Sequence, residues 1–243
     1  MMSQTEFNDK SYEYAYPEGI QNNYWNWARK RIIYKYIKNL GDGEILDVGC
    51  GKGIVTSFLS EQGLHIKGVE LGSTTPVGNA EVDIFYNTNA LDLDESLRSR
   101  IRIITLFDVI EHLPDPVSFI SNLKSGFKNA EYFVFTVPAR KELWSNFDDF
   151  YGHIKRYDMN TVENEMSKSG LQVIRALYFF HFLGLVMWLN KLLFKSRPVS
   201  FKALRNPLAI FIHRMIGWCL YCETYFLPGN LPGSSILVIA KRK

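Results

Sequence analysis

Apolar and polar positions follow two different periods along most of this chain. Short apolar runs that end at Gly, Pro, Asn or Asp predict strands, and apolar positions spaced three and four apart predict helices. Strands are predicted at residues 44–48, 65–70, 82–86, 101–107, 132–137, 171–176 and 234–240. Helices are predicted at residues 20–39, 54–62, 92–99, 115–127 and 158–168, with a loop at 141–157. Because strands that alternate with helices pair in parallel, we expect an α/β fold. Its seven-stranded sheet is doubly wound and mostly parallel, with the last strand antiparallel and helices on both faces.

The pattern changes between the last two predicted strands, which more than 50 residues separate. Residues 177–189 and 207–222 are strongly apolar and are interrupted by His181 and by His213 with Arg214. Neither stretch reaches the roughly 18 uninterrupted apolar residues of a membrane-spanning helix. We therefore expect a basic, apolar, helical insertion at 177–230. The rest divides into a core at 41–176 with 231–243 and an N-terminal arm with its helix at 1–40.

Charge singles out the same insertion. The 243 residues carry a net charge of +3, which is too small to indicate a nucleic-acid partner. Between Met166 and Cys222 there is no Asp or Glu, but there are eight basic residues: Lys168, Arg175, Lys191, Lys195, Arg197, Lys202, Arg205 and Arg214. Apolar helices of this charge suit the surface of anionic phospholipids. Peripheral membrane contact, a lid over an apolar substrate, packing on the domain and a homodimer interface all remain open.

Cysteines and histidines give little sign of metal or disulfide chemistry. Three cysteines cannot build a disulfide framework, and Cys219-x-x-Cys222 has no second pair, so no zinc site is predicted. The five histidines show no metal-ligand spacing, and no metal is expected. The first residues lack the basic and apolar regions of a signal peptide. We expect a cytoplasmic protein, with association to the inner face of a membrane left open.

The candidate chemistry begins at a glycine-rich turn. An apolar strand leads through Asp47 into Gly49, Gly51 and Gly53, and a helix follows. Glycines let the backbone approach a ligand closely, and the free N–H groups of a helix start can contact a polar ligand. Glu70 ends the next strand 23 residues after Asp47. An acid about 20 residues past such a loop can accept the hydroxyls of a ribose.

The spacing of this turn differs from two common nucleotide motifs. A dinucleotide fingerprint needs G-x-G-x-x-G, and residue 54 is Ile. A phosphate-binding P-loop needs Gly-Lys-Ser/Thr at a spacing that is absent. The turn therefore predicts a nucleoside-binding site that is neither a dinucleotide-binding motif nor a P-loop.

Four motifs carry a resemblance to a known family. They are I-L-D-V-G-C-G-K-G at 45–53, G-V-E at 68–70, F-D-V-I-E-H-L at 107–113 and G-H-I-K-R-Y at 152–157. The chain resembles the class I S-adenosylmethionine (SAM) dependent methyltransferases, in the small-molecule branch that includes the ubiquinone-pathway O-methyltransferases. The resemblance covers residues 20–178 and 232–242. It implies a SAM-dependent enzyme that methylates a small or lipid-linked acceptor, with hydroxyl oxygen as the acceptor atom.

The resemblance also implies which residues bind the cofactor. Asp47 would accept from the amino end of the methionine or order the loop, and Glu70 would hold the ribose. Asp108 would face the methionine end. The remaining implied cofactor residues are Gly49, Cys50, Gly51, Leu71, Asn89, Ala90 and Leu91.

The acceptor side has four candidates. A hydroxyl acceptor needs a base, and His is suited to that role near neutral pH, so His112 and His153 are the catalytic candidates. Arg156 and Tyr157 are the substrate-binding candidates. His112 could instead cap the turn that follows it, and His153 could be a loop histidine hydrogen-bonded within its own segment. The arm would close over the cofactor with Tyr12, Tyr14 and Trp25, which could equally be packing residues.

Two other function classes stay open on the residues. A non-catalytic SAM-fold binding or membrane-scaffold protein would keep the glycine turn, and turnover of SAM would exclude it. A nicotinamide-dependent oxidoreductase would share the strand, turn and acid, but the third spaced glycine is missing. The identity of the acceptor does not follow from the sequence.

Overall fold

A computed structural model describes residues 16–77, 82–194, 199 and 202–243. Within these residues, seven strands form one sheet in the order β3-β2-β1-β4-β5-β7-β6. The strands are β1 (Glu44–Val48), β2 (Ile66–Val69), β3 (Ile84–Phe85), β4 (Ile101–Phe107), β5 (Tyr132–Pro138), β6 (Leu171–Phe179) and β7 (Ser235–Arg242). The pairs among β1 to β5 are parallel, whereas β7 is antiparallel to both β5 and β6. The predicted fold is confirmed.

Helices cover both faces of the sheet. They are α1 (Tyr24–Ile37), α2 (Ile54–Glu61), α3 (Glu95–Arg98), α4 (Pro116–Gly126), α5 (Asn146–Phe150), α6 (Met159–Lys168), α7 (His181–Leu193) and α8 (Pro207–Phe226). Alternate residues of β5 serve different faces, since Phe133 and Phe135 pack with α4 and α6 while Val134 packs with α1 and α2. The N-cap side chains Asn23, Asp115, Asp158 and Asn206 satisfy free N–H groups where four of the helices begin.

Several element boundaries differ from the predicted ones. β6 runs to Phe179, so the first three residues of the predicted insertion belong to the sheet. The reason is pairing with β7 along the whole length, from Leu171 opposite Arg242 to Phe179 opposite Ser235. A short apolar run cannot distinguish a buried strand from a helix by period alone. The predicted loop at 141–157 contains the short helix α5, and β3 has only two residues.

The insertion leaves and rejoins the sheet at one edge. β6 is parallel to β5, so Phe179 lies at the edge where the parallel strands have their carboxyl ends, and antiparallel β7 begins there at Ser235. α8 packs along α1 at Gly217, where a Cβ would lie 2.9 Å from the Trp27 ring. The buried Glu223 carboxylate joins α8 to α7 by accepting from the N–H groups of His181 at 2.8 Å and Phe182 at 3.2 Å. Both helices therefore stand beside the edge that holds the candidate site.

Candidate active site

The glycine turn adopts a conformation that favours glycine. Gly49, Gly51 and Gly53 have φ angles of 74°, 55° and 72°, a region that L-residues with a side chain rarely adopt. A Cβ on Gly49 would lie 2.7 Å from a methyl group of Val109, and one on Gly51 would collide with the Tyr16 hydroxyl. The turn thus brings bare backbone to the carboxyl edge of the sheet.

Asp47 is held within the protein by two hydroxyl groups. Its Oδ2 accepts from Thr56 Oγ1 at 2.7 Å, and its Oδ1 accepts from Thr105 Oγ1 at 2.9 Å. The side chain is buried, and burial raises its pKa to about 6 despite these hydrogen bonds. Because Thr56 lies on α2 and Thr105 on β4, Asp47 ties the strand before the turn to the helix after it. This geometry favours the loop-ordering role among the two predicted for Asp47.

Glu70 connects the glycine turn to the end of β2. Its Oε2 accepts from the Gly51 N–H at 2.7 Å and its Oε1 from the Gly72 N–H at 3.0 Å. The side chain is buried, while the neighbouring Leu71 is exposed. Cys50 belongs to the turn, and its thiol lies against Gly68 of β2. Burial together with Asp47 and Glu70 raises the pKa of this thiol well above the usual range.

The segment after β3 forms a second rim of the site. Asn89 Oδ1 accepts from the Leu91 N–H at 2.9 Å and so begins a short helical turn. Asn89 is exposed, Leu91 is half-buried, and Ala90 is buried in the core. The predicted residues after β2 and β3 therefore meet at one edge, as parallel pairing of these strands requires.

Asp108 follows β4 and pairs with an arginine that the sequence analysis missed. Arg29 Nη2 lies 2.7 Å from Asp108 Oδ2 and donates to Thr136 Oγ1 at 3.2 Å, while Thr136 donates to Asp108 Oδ1 at 3.0 Å. Asp108 has a φ of 58°, in the left-handed region that residues with a side chain rarely adopt. The available signal was periodicity, because Arg29 falls on the apolar stripe of α1 beside Trp25 and Ile32.

The N-terminal arm reaches the glycine turn through Tyr16. Its hydroxyl lies over Gly51, and burial followed by the nearby Glu70 raises the pKa of this phenol. Trp25 contacts Arg29 with its ring centroid 4.8 Å from the guanidinium carbon, and its ring lies 6.4 Å from that of Phe180. Tyr12 and Tyr14 lie outside the described residues. Tyr16 was not among the predicted aromatic residues.

The two candidate catalytic histidines lie together although 41 positions separate them. The rings of His112 and His153 meet edge to face with centroids 4.9 Å apart, and His112 Nδ1 lies 3.2 Å from the Gly152 carbonyl oxygen. Burial and the neighbouring His153 lower the pKa of His112 to about 4. His153 Nδ1 lies 2.8 Å from Asp148 Oδ1.

Asp148 organises the loop that carries His153. Arg156 contacts both of its oxygens, with Nε 2.7 Å from Oδ1 and Nη2 3.1 Å from Oδ2, and also donates to the Ala139 carbonyl at 3.0 Å. Burial alone would raise the pKa of Asp148, but hydrogen bonds from His153 and Arg156 outweigh it and lower that pKa well below its usual range. Tyr157 is fully buried and donates to the Ile110 carbonyl at 3.2 Å. Arg156 and Tyr157, which we predicted to bind substrate, thus hold the loop in place through contacts within the protein.

A buried carboxyl group lies beside the histidine pair. Glu111 is fully buried, and neither of its side-chain oxygens has a hydrogen-bond partner within the described residues. Burial and the nearby Asp108 raise its pKa well above the usual range. One ligand atom each from Glu111, His112 and His153 lies within 4.8 Å of the others, so these three could hold a metal ion. Sequence spacing did not suggest this group because His153 comes from a distant loop.

The sequence that builds this site matches one protein family. A family model described as "Methyltransferase domain" matches residues 24–176, which is more than half of the chain and covers α1, the glycine turn, Asp108 and the His153 loop. The chain belongs to this family. The predicted membership among methyltransferases is confirmed.

Curated relatives share part of their length with this methyltransferase domain. A ubiquinone biosynthesis O-methyltransferase of Pseudomonas entomophila (strain L48) is 30% identical over 103 residues, covering 39% of this chain and 41% of the relative. One of the same name from Coxiella burnetii (strain Dugway 5J108-111) is 27% identical over 144 residues, covering 52% and 62%. The chain therefore spans about two fifths to three fifths of the length of these relatives.

Solved structures show the same fold at low identity. A SAM-dependent methyltransferase from Archaeoglobus fulgidus has a TM-score of 0.55 and 20% identity, covering 89% of this chain and 92% of its own. A phosphoethanolamine N-methyltransferase 2 of Haemonchus contortus, in complex with S-adenosyl-L-methionine, has a TM-score of 0.56 and 15% identity, covering 98% and 58%. These likenesses support the fold alone.

Proposed function

We propose that this chain is a SAM-dependent methyltransferase that acts on a hydroxyl oxygen of a small or lipid-linked acceptor. The observation that carries the proposal is the meeting, at one edge of the sheet, of the bare glycine turn, the Glu70 carboxylate and the ion pair of Arg29 with Asp108. These three groups suit a nucleoside that carries an amino-acid end. Backbone without side chains allows close approach, a carboxylate accepts hydrogen bonds from the ribose hydroxyls, and an acid and a base pair with the charged amino and carboxyl groups. The names of the curated relatives favour oxygen as the acceptor atom.

The residues present fit this cofactor. A Cβ on Gly49 would collide with Val109 and one on Gly51 with the Tyr16 hydroxyl, so only glycine lets the bare backbone of the turn lie this close to its neighbours. Glu70 would hold the ribose, Leu71 and the segment Asn89 to Leu91 would border the adenine, and Arg29 with Asp108 would bind the charged methionine end. The sulfonium of SAM supplies an electrophilic methyl group. The protein then has to align an acceptor oxygen with that group and exclude water.

His153 is the better placed of the two candidate bases. With Nδ1–H donating to the Asp148 carboxylate, its Nε2 keeps a lone pair for the proton of an acceptor hydroxyl. His112 lies against His153, and its lowered pKa makes it a weaker base at neutral pH. We therefore assign proton removal to His153 and a positioning role to His112.

Calorimetry with S-adenosylhomocysteine tests the cofactor site. We expect micromolar binding to the wild type, about −8 kcal/mol, and a loss of about 100-fold in Glu70→Ala, because two hydrogen bonds to a charged group disappear. Glu163→Ala, an exposed acid on α6, is the matched control and should bind like the wild type. Melting temperatures establish that Glu70→Ala is folded, since Glu70 also holds the Gly51 and Gly72 N–H groups. Equal binding by Glu70→Ala, or binding of a nicotinamide cofactor instead, would refute the proposal.

The helix pair α7–α8 is the reason for proposing a lipid-linked acceptor. Its outward face exposes many large apolar side chains, with Phe226 82%, Leu193 73% and Leu208 66% exposed. Among the described residues no helix has the length and apolar character to cross a membrane. Lys191 on α7 donates to the Glu142 carbonyl at 2.8 Å, in the segment that follows β5. An apolar surface that stands at the rim of the site is suited to lie in a bilayer interface and to receive an acceptor from it.

Vesicle flotation tests this contact. We expect the wild type to float with phospholipid vesicles and Phe211→Ser/Met215→Ser to lose most of that binding, because both side chains lie on the exposed face of α8. Ile174→Ser, an equally exposed apolar residue on β6, is the control. If the double variant floats like the wild type, α8 does not enter the interface. A wild type that forms a stable dimer and ignores vesicles would indicate a homodimer interface instead.

A further inference from the structure

A group of cations lies along the seam where α8 packs against α1. Lys30 Nζ and the Arg31 guanidinium carbon lie 4.9 Å and 5.1 Å from the same Phe58 ring centroid. Arg31 also stacks on Trp27 at 3.6 Å. Arg214 of α8 joins them from the other side of the seam and donates to Asn22 Oδ1 at 3.4 Å. We call Lys30, Arg31 and Arg214 the basic seam.

Among the residues that the structure describes, the positive charge of the basic seam is opposed at Lys30 by the nearby Glu61 carboxylate, but not by an ion pair. None of its three side chains forms an ion pair there, although ion pairs occur elsewhere in that part of the chain. Burial, Arg31 and Arg214 lower the pKa of Lys30 to about 8 against the opposing effect of Glu61, and burial with Arg214 also lowers the pKa of Arg31. Three cations that repel one another and are partly withdrawn from water form a site that an anion would stabilise.

The seam borders the exposed apolar face of α8. His213 and Gly217 face α1, where the His213 ring lies 5.5 Å from the Tyr24 ring. Phe211, Met215 and Trp218 are 60%, 47% and 54% exposed on the other side of the helix. The helical period places Arg214 between these two sets. A ligand that is anionic at one end and apolar at the other would contact the seam and the apolar face at once.

We propose that Lys30, Arg31 and Arg214 bind the phosphate of an anionic phospholipid headgroup while the apolar face of α8 lies among its acyl chains. This inference rests on the membrane contact proposed above and names the lipid charge that the contact selects. A second copy of the chain suits the surface less well. In a twofold interface the same patch meets itself, and no acid occurs from Met166 to Cys222 to balance the cations.

Flotation near physiological salt compares vesicles of phosphatidylcholine with vesicles that contain about a third phosphatidylglycerol. We expect the wild type to prefer the anionic vesicles, and Lys30→Gln/Arg31→Gln/Arg214→Gln to bind them at least about tenfold more weakly, because each cation near an anionic surface strengthens binding. Arg214→Gln alone, an exposed site that keeps the Arg31 packing, should lose a smaller part. The control removes three cations elsewhere, at Arg102, Lys128 and Lys168, and should keep the preference.

The outcomes separate this proposal from those it rests on. A triple variant that binds anionic vesicles as well as the control would overturn the headgroup site and leave insertion of α8 intact. A wild type that binds inorganic phosphate through the seam but does not prefer anionic to phosphatidylcholine vesicles would overturn the headgroup proposal and assign the seam to free phosphate. A wild type that binds neither vesicle would overturn both membrane proposals. Binding of S-adenosylhomocysteine, measured alongside, would still report on the cofactor site.

Discussion

The central sheet and the helix pair α7–α8 are both rich in apolar residues, but they place them differently. Leu46, Phe133 and Val238 of the sheet are fully buried between helices on two faces. In the helix pair, Leu193 and Phe226 are among the most exposed apolar side chains of the described residues. α1 covers α8 along one side, and on another side Phe211, Met215 and Trp218 of α8 are exposed.

This contrast shows where each region finds the partner for its apolar surface. In the sheet the partner is the rest of the fold, so removing apolar atoms leaves a cavity. In the helix pair much of the surface has no partner inside the described residues, so we attribute its apolar sequence to an external one. Large contiguous apolar patches are rare on the surface of monomeric soluble proteins and mark interaction sites.

Truncating one phenylalanine in each region gives the largest expected difference. We expect Phe133→Ala to lower the free energy of unfolding by about 3–5 kcal/mol, since it leaves a cavity in the sheet. Phe211→Ala should change it by less than about 0.5 kcal/mol in the absence of lipid. Urea unfolding of both variants measures this. A loss of more than about 2 kcal/mol for Phe211→Ala would mean that the face of α8 is covered in solution, which favours a second copy of the chain.

The same contrast explains which features could be predicted. The sheet was predictable because burial between two layers imposes apolar runs of strand length, and Glu70 because parallel pairing fixes where β2 ends relative to the glycine turn. Arg29 was missed because an isolated charge on an apolar helix stripe has no fixed sequence spacing from its partner Asp108, which directly follows β4. Asp148 and the meeting of His112 with His153 depend on loop closure, which local periodicity does not encode.

Asp47, a buried carboxyl group of the sheet, makes the stability of the sheet depend on pH. Burial raises the pKa of Asp47 in the folded chain to about 6, above its value in an unfolded chain. The folded state therefore binds the Asp47 proton more tightly than the unfolded state does. The stability that protonation of Asp47 contributes is complete below about pH 4 and is lost as the pH rises through about 6. Relative to Asp47→Asn, we expect the wild type to lose up to about 3 kcal/mol of unfolding free energy between pH 4 and pH 7.

Urea unfolding at several pH values measures this difference. Glu163→Gln removes an exposed acid from α6 and serves as the control, because its own difference from the wild type should stay nearly constant over the same range. A difference between the wild type and Asp47→Asn that does not change with pH would show that Thr56 and Thr105 fully compensate the burial of the carboxylate.

The buried carboxylate of the helix pair should give the smallest effect. Glu223 accepts from the first two N–H groups of α7, so Glu223→Ala leaves them without a partner. We expect a loss of about 1–2 kcal/mol and faster hydrogen exchange at the start of α7 than in the sheet. Asn206→Ala, which removes the corresponding cap of α8, should instead speed exchange around Leu208 and Ala209. If Glu223→Ala speeds exchange equally in β6 and β7, the helix pair and the sheet unfold as one unit, and the contrast between them is confined to their surfaces.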